Sequence, residues 1–242
     1  MSFYSYYRGF GNNYTTVSEL KAKAANYIGQ QKKKGIILSP VLIEGRVIAK
    51  SWWGKAWCEN LEKYADYENR LERGRKYVRA NCVLDLQINK GEVKGLVQGS
   101  KKKPYNVIIK INTLSKDKYK KILSECSSKI QNIDDLIKGK FSNDLKELFT
   151  EKNNGLFPSM SEIDFSCSCP DWAGMCKHVA AVLYGIGTRF DTEPLLFFTL
   201  RGIDTKKLIG SAIENKLENM IKNANKPSTR IMDDTNLSLF GL

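Results

Sequence analysis

Four side chains of the kind that bind zinc lie within twelve residues of this 242-residue chain: Cys167, Cys169, Cys176 and His178, in the stretch FSCSCPDWAGMCKHVAAVLYGIG. The His is the only one in the chain, and these three Cys are half of its six. Three Cys with one His is a recognised structural zinc set. The spacing constrains the backbone. In a strand, residues i and i+2 face the same side, so Cys167 and Cys169 reach one ion. Pro170, Asp171 and Gly174 are turn formers that reverse the chain. Val179 to Tyr184 reads as a helix, on which i and i+2 lie about 200° apart. Cys176 must therefore sit before that helix or in its first turn. The expected unit is a strand, a turn and a helix, with one zinc clamping the helix start to the strand end.

Four protein ligands leave no position for water, so the expected Zn²⁺ is structural and not catalytic. Lys177 and the positive helix N-terminus offset the negative charge of three thiolates. Asp171 and Asp164 are candidate acceptors for the free imidazole nitrogen. Two other readings compete: chance clustering of buried Cys, and a nucleophile–base pair of Cys176 with His178, whose groups zinc ligation would consume. Cys58, Cys82 and Cys126 stand singly in apolar patterns and read as core thiols.

Charge is unevenly spread. The chain carries 39 Lys and Arg against 26 Asp and Glu, a net +13. Residues 1–150 hold 29 basic and 15 acidic residues, net +14, whereas residues 151–200 are net −3. A basic excess favours anionic partners, nucleic acid first. A plain solvated face is the alternative. Candidate phosphate contacts are Arg70, Arg73, Arg75, Lys76 and Arg79, in a basic stretch with interleaved aromatics, and the adjacent Lys101, Lys102 and Lys103. No run of 18 apolar residues exists, so no membrane span is expected. With no secretory leader at its start and too few Cys for a disulfide scaffold, the chain reads as cytoplasmic, with reduced thiols.

Periodicity fills in the rest. Residues 1–14 are aromatic and polar and read as core cover. Thr16 to Glu19 is a capping box opening a helix to about Gln31. Val41 to Ala49 suggests a short hairpin around Glu44-Gly45. Trp53, Trp57, Leu61 and Tyr64 form a helical apolar stripe. Residues 77–112 read as a three-stranded antiparallel meander: Val83 to Ile88, Val93 to Gln98 and Tyr105 to Ile111. Ser115 caps a helix with a stripe through Tyr119, Ile122, Leu123, Cys126 and Ile130, and a short helix runs from about Asn143 to Phe149. Asn153-Asn154-Gly155 is a module boundary, and 222–242 reads as a mobile tail.

The stretch CSCPDWAGMCKH resembles the SWIM zinc finger, C-x-C-x(n)-C-x-H. The segments SWWGKAWCENLE, RLERGRKYVRANCVLDLQI, GEVKGLVQGS, PYNVIIKI and RFDTEPLLFFTLRG are similar to the bacterial SWIM zinc finger proteins, and the likeness covers most of residues 1–210. The resemblance implies a small ββα finger around one zinc held by Cys167, Cys169, Cys176 and His178. It also implies binding to DNA or protein and association with a Snf-family helicase-like ATPase. The ATPase phosphate loop G-x-x-x-x-G-K-[ST] does not occur in this chain.

The sequence thus points to an α+β protein. A basic domain over 1–150, with meander and helices, precedes a finger over 151–190 and a helical C-terminal segment over 191–242. The expected role is non-enzymatic, with no small-molecule substrate. Direct nucleic-acid contact and an adaptor role, with Trp172 and the finger helix docking a protein, both remain open.

Overall fold

The computed structural model describes residues 15–63, 68–129, 138–151 and 155–224. Helices α1 (Val17–Lys33), α2 (Trp52–Glu62) and α3 (Glu68–Arg79) precede strands β1 (Val83–Asn89), β2 (Glu92–Val97) and β3 (Tyr105–Ile111). Then come α4 (Lys116–Lys129), α5 (Asn143–Thr150) and a 3₁₀ turn at Met160–Glu162. Strand β4 (Ile163–Cys167) leads to α6 (Lys177–Thr192), α7 (Leu195–Leu200) and α8 (Thr205–Ala224). The class is α+β, with one antiparallel sheet in the order β1-β2-β3-β4.

Local chemistry sets most boundaries. The Thr16 side chain accepts from the Glu19 N–H, and Glu19 accepts from the Thr16 N–H, closing the expected capping box. Gly35 ends α1 with φ +77°, a conformation that suits glycine. Trp53, Trp57 and Leu61 of α2 are buried as their spacing predicts. The stretch 68–79, read from sequence only as basic and aromatic, is the amphipathic helix α3.

Two expectations need correction. Val41 to Ala49 is not a hairpin. Its first residues run along the edge of β1, where the Val41 N–H donates to the Val83 carbonyl and the Leu86 N–H to the Ser39 carbonyl. An existing strand edge supplied the ladder partner, so the segment did not need to pair with itself. The finger is also not ββα by itself. It contributes only β4, which pairs with β3 of the preceding segment from Val107↔Cys167 to Ile111↔Ile163.

Helix α6 lies across the sheet and packs on α2, α3 and all four strands. Val83, Leu86, Val93, Val107 and Ile109 face inward beneath it, and Val179 to Gly187 are buried. Two glycines allow this close packing. A Cβ at Gly74 of α3 would fall 2.5 Å from the Ala180 Cβ, and one at Gly95 of β2 would fall 2.6 Å from Val182 Cγ2. One apolar cluster joins α1 through α8. Trp53 anchors its far end among Phe141, Phe149, Phe197 and Phe198. The stripe members Tyr64 and Ile130, the aromatics of 1–14, Tyr67, Asn153-Asn154 and the tail beyond Ala224 lie outside the described residues.

The C-terminal helices are joined to the sheet by Arg201, whose side chain is fully buried. It pairs with Glu162 at 2.8 Å and donates to the Asn112 carbonyl just past β3. Burial is the largest single influence and would raise the Glu162 pKa, but the hydrogen bonds from Arg201 and Ser159 and the Arg201 charge together outweigh it and hold the carboxyl below its ordinary value of 4.5.

Gly74→Leu should destabilise the zinc-loaded protein by about 2 kcal/mol through overpacking against Ala180. A stabilisation in urea unfolding, as an open helical site would give, would contradict the close approach. Glu162→Gln should cost about 3 kcal/mol near neutral pH, because it strands a buried guanidinium. A carboxyl with a depressed folded pKa contributes above its unfolded value and loses that contribution as pH falls through the folded one. The gap between wild type and Glu162→Gln in urea unfolding should therefore close as pH drops below about 4.5.

Candidate metal centre

The two elements that carry the ligands meet as the spacing requires. Cys167 is the last residue of β4, and Cys169 lies two beyond it. Between them, the Ser168 N–H donates to the Asn106 carbonyl, and its hydroxyl accepts from the Asn106 N–H, which extends the ladder past Cys167. Cys176 is the N-cap of α6, with extended φ −78° and ψ 169°, and His178 sits in the first turn. The backbone therefore changes from extended to helical between the last two ligands, as geometry demanded.

The Sγ atoms and the His178 ring nitrogens offer four ligand atoms within 4.8 Å of one another. His178 Nδ1 lies 3.9 Å from Cys167 Sγ and 3.8 Å from Cys176 Sγ. In a tetrahedral site with ordinary Zn–S and Zn–N bonds, such an edge measures about 3.6 Å. Cys176 and His178 are buried, and the other two ligands are half-buried. The Cys167–Cys176 hydrogen bond is the main force on both thiols, raising Cys167 and lowering Cys176. Burial is the main force raising Cys169. Three sulfurs so close need a cation to ionise together, and the donor set fits one structural zinc ion.

The surroundings differ from expectation in one respect. Neither Asp171 nor Asp164 accepts from the imidazole. Asp171 is bonded to Arg70 at 2.8 and 3.4 Å and to the Ala173 N–H, and Asp164 is exposed on β4. The His178 Nε2 is buried without a partner among the described residues. Packing orients the ring instead: the Tyr105 ring lies 4.5 Å away at 30°, and Tyr77 meets it edge-on at 5.4 Å. Gly99 leaves the space, since a Cβ there would stand 3.2 Å from Nε2 and 2.5 Å from the Tyr105 ring. Alternating Tyr105 gave no signal of this role in the sequence, because its spacing reads only as strand.

The basic candidates divide into two sets. Arg70 holds the finger loop through Asp171. Arg75 binds Glu62 and the Tyr184 hydroxyl, both at 2.7 Å, and Arg79 Nε donates to the Arg46 carbonyl. These three join parts of the fold. Arg73 and Lys76 face a cavity with Lys177, a residue not foreseen as a contact. Lys101, Lys102 and Lys103 are exposed in the β2–β3 loop and enter no ion pair among the described residues. Trp172 is 95% exposed, but the finger helix expected to dock beside it is buried in the core.

A closed Cys₃His cluster holding a strand end to a helix start defines a zinc finger. Residues 159–185 match the SWIM zinc finger, and the chain carries that finger with all four ligands in place. Beyond it, the uncharacterized protein Rv2102 of Mycobacterium tuberculosis is 33% identical over 165 residues, covering 68% of this chain and 59% of that protein. The chain thus spans less than two thirds of that relative's length. No solved structure matches the chain. No described helix is long and apolar enough to cross a membrane.

Removing the metal should loosen one end of the fold rather than dissolve it. His178→Ala, or chelation of the wild type, should abolish zinc in metal analysis and lower Tm. Hydrogen exchange should accelerate over residues 163–178, while Ala180 to Ile186 stay protected by α3 and the sheet. Equal loss of protection along the whole of α6 would contradict this.

Proposed function

We propose that this protein is a non-enzymatic nucleic-acid-binding module, acting on DNA, whose SWIM finger is structural. It would act directly or as an accessory factor of a Snf-family helicase-like ATPase. The observation that carries this reading is the Lys101–Lys103 loop, exposed and outside the ion pairs of the described residues, on a segment with net +14. Folding does not require three adjacent lysines at a loop tip, but a phosphate backbone would engage them. The metal cluster supports the non-enzymatic part, because four protein ligands leave zinc no position for a substrate. A cytoplasmic setting with reduced thiols is consistent with three Cys committed to one ion.

A second reading, a protein adaptor, is favoured by α8. Ile213, Leu217, Met220 and Ile221 recur along one of its faces and are exposed.

Fluorescence anisotropy of the zinc-loaded chain with single- and double-stranded DNA across a salt series tests the first reading. Binding should weaken steeply with salt, and Lys101, Lys102 and Lys103 changed together to Gln should flatten the slope by about 2. No binding to any DNA at low salt would remove it in favour of the adaptor.

A further inference from the structure

Outside the metal cluster, one cavity gathers three cations. Arg73 and Lys76 of α3 line it, with Lys177 at the start of α6, Ser100 of the β2–β3 loop and the first residues of α1. Its volume is about 160 Å³, and no carboxylate lines it. The acidic groups nearby are otherwise engaged. Glu19 closes the α1 capping box, and Glu72 meets Lys76 at 3.4 Å on the exposed side. Arg73 has no carboxylate partner among the described residues. The Lys177 ammonium stands 5.9 Å over the Tyr77 ring. The exposed Glu72 offsets only part of the Lys76 charge, so three cations lining one concavity still favour an anion there.

The finger loop offers an exposed aromatic ring. Trp172 is 95% exposed, yet its neighbour Asp171 is fastened to Arg70. Arg70 precedes Arg73 by three residues on α3, so the loop bearing Trp172 is fastened to a side chain one helical turn from Arg73. An exposed indole on a loop anchored to α3 is a stacking surface for an unpaired base. Lys101 to Lys103 continue the chain from Ser100 at the cavity rim, and the Lys23 ammonium donates to the Ser100 carbonyl at 3.0 Å.

We infer that this face is a path for single-stranded nucleic acid. A backbone phosphate sits among Arg73, Lys76 and Lys177, a base stacks on Trp172, and Lys101–Lys103 meet further phosphates. A base paired within a duplex cannot leave its stack for Trp172 without an unpairing cost, so one strand is preferred to two. The inference rests on the nucleic-acid reading above and assigns its strand state and contacts.

The test uses the full zinc-loaded chain, a fluorescein-labelled oligothymidylate and a duplex of matched length. Anisotropy should show the single strand bound at least tenfold more tightly than the duplex. Arg73→Gln with Lys76→Gln should weaken binding at low salt and reduce the salt slope by up to about 0.7, the share of the one phosphate these side chains hold. Trp172→Ala should weaken single-strand binding by roughly 5- to 100-fold, leave the salt slope unchanged and abolish DNA-dependent quenching of tryptophan fluorescence. Zinc content and circular dichroism, unchanged in both variants, separate these effects from misfolding. Neither variant alters a metal ligand, and each stands as a test without the other. Wild-type affinity for the single strand in either variant, or equal affinity for strand and duplex, would overturn this inference and leave the nucleic-acid reading intact. No binding to either DNA would overturn both.

Discussion

The path of α6 is the constraint on which the rest depends. Its first turn supplies a zinc ligand, its N-cap supplies another, and its next turns fill the space between the sheet and helices α2 and α3. One helix therefore belongs to the metal site and to the core at once. Its depth is possible because Gly74 and Gly95 remove the side chains that would hold α3 and β2 away. The metal fixes where the helix begins, and packing fixes where it goes. A finger built this way is an edge of the body and not an appendage, and its helix is unavailable to a partner.

The basic residues fall into two sets that composition cannot separate. On α3, Arg70, Arg75 and Arg79 each bridge to another segment of the chain. The Tyr184–Glu62–Arg75 group is the clearest case, because the phenol donates to the carboxylate that also receives the guanidinium. Burial and the adjacent Glu62 charge raise the Tyr184 pKa, which keeps that hydroxyl a donor. Arg73 and Lys76, on the same helix as these partners, turn instead toward the cavity with Lys177. Helical rotation sorted neighbouring cations into those that join segments of the fold and those that face the cavity.

Much of the finger was legible because metal geometry is stricter than packing. The i, i+2 spacing of Cys167 and Cys169 demanded an extended backbone, and that of Cys176 and His178 excluded mid-helix. Both requirements appear in the structure. The acceptor for the imidazole was not legible, because Asp171 had an equally good partner in Arg70, 101 residues earlier in the chain. The Val41 segment failed for a related reason. Its β-branched residues predicted extended backbone correctly, but local pattern does not state which edge an extended segment will join.

By itself, the sequence determined the zinc ligands, the meander, the Trp53–Trp57–Leu61 stripe and the basic excess before residue 150. Each of these is set by residues near one another in the chain, where covalent spacing limits the geometry. Only the tertiary structure decided that β4 completes the meander's sheet, that α6 is the central core helix, and which cations remain free to face solvent. Those outcomes depend on contacts between residues far apart in sequence, made when apolar faces and opposite charges find their partners on folding.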